Sequence, residues 1–313
     1  MFIHCKHRQE LAFAHQLISL TDNRLNEKKA MLDNLNSSKI ELNGIQYHVR
    51  DSQQGQETIL LLHGWPDDGT VWREQIPALM EAGYRVVCPD LPGYGLSEVP
   101  LEIQRCQIIN LVEDLVTLLK QLNLNKVHCI AHDYGAVLGW ELASQTNLLK
   151  TYTAMSVGHL AEFLTISFET LQVQWLYFLN IQDIAPQLYR ANNGYLFREV
   201  LRSHPDRDRL VENALKPGIL ENMEKLERAN PVPEYLLAAL NKQLPEPSPI
   251  NVPTLGIWSE KDDFLWESQM SNSGKYILSD WEYIRIEQAG HWFMLEQPDK
   301  TNQLLLSWLQ KYS

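Results

Sequence analysis

Five short, nearly continuous apolar runs punctuate the chain: Thr58–Leu62, Arg85–Cys88, Val127–Ala131, Tyr152–Val157 and Thr254–Trp258. Such runs are expected of strands covered on both faces, as in a parallel sheet. Helical periodicity fills most of the gaps, over Val71–Glu81, Ile108–Leu122, Val137–Ala143 and Lys300–Leu309, and a further strand, Glu282–Ile286, precedes the last helix. Strand–helix alternation at this spacing predicts a mostly parallel sheet with right-handed crossovers and helices on both faces. Ahead of it, Lys39–Leu42, Asn43-Gly44 and Ile45–Val49 read as a β-hairpin, because Asn-Gly supplies the positive φ of a tight two-residue turn.

The alternation stops between His159 and Pro249. Helical patterns over Leu171–Leu179, Leu188–Val200, Leu210–Leu215 and Tyr235–Leu240 predict an inserted helical cap, which the Pro-rich stretch Pro245–Pro249 closes. The expected organisation is an N-terminal helical extension over 1–30, a core in two parts over 31–158 and 249–313, and a cap over 159–248.

Composition excludes several classes. Of 313 residues, 44% are hydrophobic and 21% charged, enough apolar material for a large core, so disorder and fibre drop out. The net charge of -12 repels phosphate backbones and anionic lipid, so neither nucleic acid nor a membrane is an expected partner. No run approaches the roughly 18 apolar residues of a span, and Lys6 to Glu10 interrupt any signal-peptide core. Cys5, Cys88, Cys106 and Cys129 lack CxxC spacing and read as reduced thiols, so the expected location is cytoplasmic.

In an open parallel sheet, ligands bind beyond the carboxyl ends of the strands. Four of those ends are rich in chemistry: His63-Gly64-Trp65-Pro66, His132-Asp133-Tyr134-Gly135, Glu260-Lys261-Asp262 and Gly290-His291-Trp292. Small residues flank the strand-to-helix turn at Asp133 and allow a sharp bend that would present its carboxylate at the apex. Alone, Asp133 would pass for a helix N-cap. A cap, however, does not predict the companion acid and base. A carboxylate nucleophile attacks a saturated carbon and becomes the acyl group of the resulting ester, which suits epoxides and alkyl halides. His291 is the candidate base. Asp262 is the preferred orienting acid, Asp263 the next. The backbone N–H groups of Trp65 and Tyr134 would converge on one oxygen as an anion-stabilising pair. Pro89 to Ser97 has neither dinucleotide nor P-loop spacing and reads as scaffold. The histidines lack zinc-ligand spacing, and no metal or cofactor is expected.

With Ala131 and Asp133 where a serine hydrolase has glycine and serine of its G-x-S-x-G elbow, and with the order Asp133, Asp262, His291, the chain from about residue 40 onward resembles the α/β-hydrolase superfamily. Within it, His63-Gly64-Trp65-Pro66, Asp90 to Ser97 and Gly290-His291 resemble the epoxide hydrolase branch, close to the haloalkane dehalogenases. The resemblance implies an α/β-hydrolase fold with a cap, a cofactor-independent hydrolase, an apolar epoxide and water as reactants, and two cap tyrosines that bind and protonate the epoxide oxygen. Tyr177 matches the first; a core aromatic is its plainer reading. The second should follow an Ala-Leu-Asn segment, but Ala239-Leu240-Asn241 leads to Lys242-Gln243. Gln243 can donate a hydrogen bond there but no proton, leaving Tyr177 or one of Tyr189, Tyr195 and Tyr235 as the acid. His63, Trp175 and Gln243 are the further substrate-binding candidates. A haloalkane dehalogenase with the same triad is the alternative, since Trp65 or Trp175 could hold a halide. A non-catalytic receptor is a remote one.

Overall fold

A computed structural model describes residues 32, 35–165, 167 and 175–313; the expected extension over 1–30, and Cys5 in it, lie outside the described residues. Eight strands form one sheet: β1 Asn36–Leu42, β2 Ile45–Asp51, β3 Glu57–Leu62, β4 Tyr84–Pro89, β5 Val127–His132, β6 Leu149–Met155, β7 Thr254–Ser259 and β8 Trp281–Ile286. Their order is β1-β2-β4-β3-β5-β6-β7-β8. The hairpin closes at Leu42–Ile45 through Asn43 and Gly44, both at positive φ, and β2 runs antiparallel to β4. From β4 to β8 every pairing is parallel. The central strands are buried along their length because helices cover both faces, which is why they read as unbroken apolar runs.

The helix Ile108–Gln121 buries Leu111, Val112, Leu115, Leu118 and Leu119, one stripe at helical spacing. Tyr134–Gln145 instead buries residues on nearly all sides, among them Ala136, Leu138, Trp140 and Leu142. Trp72, Trp140 and Trp292 are among the largest fully buried side chains. The loop after β4 is tied down by Asp90, which accepts from Arg50 (2.7 Å), Gly69 N (2.8 Å) and Leu96 N (3.1 Å), with His48 Nδ1 at 2.8 Å. Cys88, Cys106 and Cys129 are buried thiols. Among the described residues, no helix is long and apolar enough to cross a membrane.

Between β6 and β7 the described elements are helices: Leu160–Phe163, Trp175–Asn180, Ala185–Val200, Arg207–Ala214, Ile219–Ala229 and Val232–Leu240. Two of the longer ones differ most from the sequence reading. The Leu188–Val200 pattern is broken at Ala191–Gly194, where Asn192, Asn193 and Gly194 take left-handed backbone that Asn and Gly tolerate best. The Ile219–Ala229 helix is absent from the periodicity reading because Glu221, Glu224, Lys225, Glu227 and Arg228 crowd between its apolar positions Leu220, Met223 and Leu226. Strand β6 also starts three residues early, at Leu149, where Lys150 interrupts the apolar run.

Candidate active site

Asp133 stands between the end of β5 and the helix Tyr134–Gln145, at φ 52°, ψ -124°, a conformation that costs a non-glycine residue free energy and persists only where the surroundings enforce it. The enforcement is visible next door. A Cβ on Gly135 would lie 2.4 Å from the Leu62 carbonyl oxygen, so only glycine lets the helix start this close to β3. Although Asp133 occupies the N-cap position, its side chain makes no capping bond. One carboxylate oxygen, Oδ1, accepts from Trp65 N at 2.7 Å. The Tyr134 amide acts on the same carboxylate.

The other oxygen, Oδ2, is 3.4 Å from His291 Nε2, and His291 Nδ1 is 2.9 Å from Asp262 Oδ2. Asp262 is itself held by the amides of Phe264 (2.8 Å) and Leu265 (3.0 Å) on Oδ1. Its neighbour Asp263 turns away to Arg202 at 2.8 Å. Burial opposes charge on His291 and on Asp133, yet the pairing wins. Burial alone would lower the His291 pKa, but Asp262 and Asp133 push it up to about 10. Burial likewise would raise Asp133, whereas His291, His132 and the Tyr134 amide hold it below the usual carboxylate range. His132 is pushed the other way, to about 4, by burial and the neighbouring His291. With Nε2 3.0 Å from the His291 carbonyl, neutral His132 donates to it and steadies the His291 backbone from behind.

Asp133, His291, Trp65, Tyr134 and Tyr177 all line one cavity, which encloses about 880 Å³ including its open mouth. The rest of its wall is mostly apolar, with Ile108, Val137, Val157, Leu160, Leu164 and Leu176. Burial, and then the Asp133 charge, raise the Tyr177 phenol well above its ordinary range, so it keeps its proton. Tyr235 also lines the cavity; Tyr189 donates instead to Asn180 Oδ1, and Tyr195 is exposed.

Three sequence candidates do not reach the cavity. His63 is fully buried, with Nδ1 at 3.0 Å from the Gly64 carbonyl and Nε2 accepting from Leu91 N at 2.9 Å, so it ties two loops together rather than meeting a ligand. Trp175 begins a helix with 49% of its surface exposed, and Gln243 is exposed beyond the end of Val232–Leu240. A strand end singled out His63, the family resemblance Gln243, and a place in the expected cap Trp175; the packed structure turns all three away from the cavity.

Sequence reasoning also passed over Asp67, Asn230 and Glu227. Asp67 receives Trp292 Nε1 at 2.9 Å and faces His204 Nε2 at 3.2 Å, joining the β3 loop, the helical insertion and the His291 loop. Asn230 Nδ2 lies 2.6 Å from the Tyr134 hydroxyl and 2.8 Å from the Cys106 carbonyl. No local signal marks Asp67 or Asn230, because the partners named for them lie 96 to 225 positions away. Among the described residues no group of three His, Cys, Asp or Glu is placed to hold a metal ion.

The alpha/beta hydrolase fold family matches residues 57–298. AB hydrolase superfamily protein YfhM of Bacillus subtilis (strain 168) is 29% identical over 293 residues, spanning 89% of this chain and 99% of that protein. Epoxide hydrolase 4 of Homo sapiens is 25% identical over 294 residues, spanning 87% of this chain and 78% of that protein. Among solved structures, a mutant of an epoxide hydrolase from Bacillus megaterium, complexed with its product, aligns with a TM-score of 0.76 at 23% identity. The match covers 87% of this chain and 100% of the other, a likeness of fold.

Proposed function

The chain belongs to the alpha/beta hydrolase fold family, and from that premise we propose that this hydrolase converts an apolar epoxide to a vicinal diol through an ester on Asp133. The observation that carries the reading is a carboxylate, not a hydroxyl, at the strained turn, with one oxygen held by the Trp65 amide and the other facing His291 inside an apolar cavity. The human relative named above as an epoxide hydrolase lends it support.

Asp133 Oδ2 attacks an epoxide carbon. The carbon–oxygen bond breaks, and the freed oxygen takes the Tyr177 proton. Asp133 Oδ1, already held by the Trp65 amide, becomes the ester carbonyl. Alkylation removes one of the two negative charges that keep His291 protonated, so its pKa falls and its proton returns to the Tyr177 phenolate, leaving a neutral base when one is needed. His291 then takes a proton from water as the water attacks the ester carbonyl carbon. The charge that develops on Oδ1 meets the Trp65 and Tyr134 amides, a preorganised contribution of roughly 3 kcal/mol. Oδ2 departs with the diol, taking the hydroxyl proton of the tetrahedral intermediate, and Asp133 is restored with an oxygen from water. No cofactor enters the scheme. The helices described between β6 and β7 act as the cap that carries Tyr177 over Asp133.

The test is intact-protein mass spectrometry of His291→Gln with a panel of epoxides and a panel of alkyl halides. Without the base the ester should persist: a gain equal to the whole epoxide mass, absent when Asp133 is also changed to Asn, is the expected result. A gain equal to the alkyl group without halogen would point to a dehalogenase, the reading that the Trp65 indole in the cavity wall favours. No adduct from either panel would remove both. Turnover in heavy-oxygen water gives a second check, since label should enter Asp133 and be missing from the first diol formed.

A further inference from the structure

Glu227 has no part in the scheme above, yet it lines the same cavity as Asp133 and is only 5% exposed. It sits on the Ile219–Ala229 helix one turn beyond Glu224, which pairs with Arg228 at 3.1 Å. Glu227 has no side-chain hydrogen bond or ion pair among the described residues. The titratable groups that face it are the carboxylates of Asp133 and Glu224 and the phenols of Tyr94, Tyr134, Tyr177 and Tyr189. No cation among the described residues offsets them. Burial first, then the Asp133 and Glu224 charges, raise its carboxyl to about 8. A buried acid of this kind is protonated at neutral pH and is a donor rather than an acceptor. Around it the wall is mostly hydrocarbon, so apart from water the acceptor for this donor has to come with the ligand.

We propose that Glu227, as a carboxylic acid, donates a hydrogen bond to an oxygen atom of the substrate outside its epoxide ring, so that the site selects substrates carrying an ether, hydroxyl or carbonyl oxygen over hydrocarbons of the same shape. The inference rests on the epoxide reading for turnover but not for binding, and the experiment keeps the two apart. Trp65 and Trp292 line the cavity and report occupancy by intrinsic fluorescence. Phenyl propyl ether and butylbenzene, unreactive and nearly isosteric, serve as probes on the wild type, Glu227→Gln and Glu227→Leu.

At pH 7 the wild type should bind the ether roughly fivefold more tightly, the increment of one net hydrogen bond. The preference should survive in the Gln variant, whose amide also donates, and vanish in the Leu variant. Between pH 7 and 9 it should fade in the wild type, as Glu227 ionises, but stay level in the Gln variant. The ratio of kcat/KM for phenyl glycidyl ether over 4-phenyl-1,2-epoxybutane should follow the same pattern. Equal binding of both probes, no measurable binding of the ether, or a Leu variant that keeps the preference would each overturn the assignment. So would tighter binding of a phenylalkylamine, which would make Glu227 an anionic site for a cation. A binding preference without turnover of either epoxide would sustain the role of Glu227 and sink the epoxide hydrolase reading instead.

Discussion

On the proposed scheme, replacing Asp262 by Asn should separate the two chemical steps, because Asp262 touches His291 and not Asp133. Its Oδ2 is 2.9 Å from His291 Nδ1, and the base is 2% exposed. Two unit charges about 4 Å apart at an effective dielectric of about 20 interact by about 4 kcal/mol, equivalent to roughly 3 pKa units. His291, held up to about 10 by Asp262 and Asp133 against the effect of burial, should therefore fall to roughly 7 in Asp262→Asn. Asp133 and its two amides are untouched, so alkylation should continue. Hydrolysis should slow by about 10² to 10⁴-fold, because the imidazole loses both its orientation and the charge that stabilises it once protonated. Stopped-flow tryptophan fluorescence with excess enzyme resolves the steps, and an NMR titration of the imidazole gives the pKa. The expected result is accumulation of the ester with a His291 titration near neutrality. Equal slowing of both steps, or a His291 that still titrates near 10, would refute the assignment of Asp262 as the orienting acid.

Two further substitutions test the surroundings of the site. At Gly64 a Cβ would stand 2.3 Å from Asp133 Oδ1, so Gly64→Ala should displace the carboxylate and cut kcat by at least about 10²-fold with the circular dichroism spectrum unchanged; near-normal kcat would show that the carboxylate position is not critical. For Asp67, burial works against the ion but His204 and His132 outweigh it and bring the pKa down to about 2 from 3.8. A carboxylate with a depressed folded pKa stabilises above its unfolded value and loses that contribution as pH falls through the folded one. Asp67→Asn should thus cost about 2 kcal/mol above pH 4, shrinking towards zero near pH 2, in urea unfolding across that range; a cost independent of pH would rule out charge as the origin.

The parts of the fold that were legible in sequence are those decided locally. Asn43-Gly44 takes the positive φ that a tight hairpin needs whatever surrounds it, and the runs at β3, β5 and β7 are apolar on both faces because a parallel sheet leaves no wet side. The break at Ala191–Gly194 had its local signal too, in Asn-Asn-Gly, but the apolar spacing on either side ran through it. The Ile219–Ala229 helix was hidden for the opposite reason. Glu224 and Glu227 are both buried, one beside Arg228 and the other in the cavity wall, so charge there does not mark a solvent face.

By itself, then, the sequence determined the order of the strands and of the helices that cover the sheet, and it marked Asp133, Asp262 and His291 as residues at strand ends, since backbone preference and hydrophobic period act over a few neighbouring positions. Only the tertiary structure decided which of them meet. Whether Asp262 or Asp263 faces His291 turns on one residue of register in the bend after β7, where two amides hold the Asp262 carboxyl. That Tyr177, Tyr235 and Glu227 enter the cavity while Trp175 and Gln243 do not depends on how the helical insertion seats on the sheet. Side chains 29 to 158 positions apart meet there through packing, and no local pattern encodes that contact.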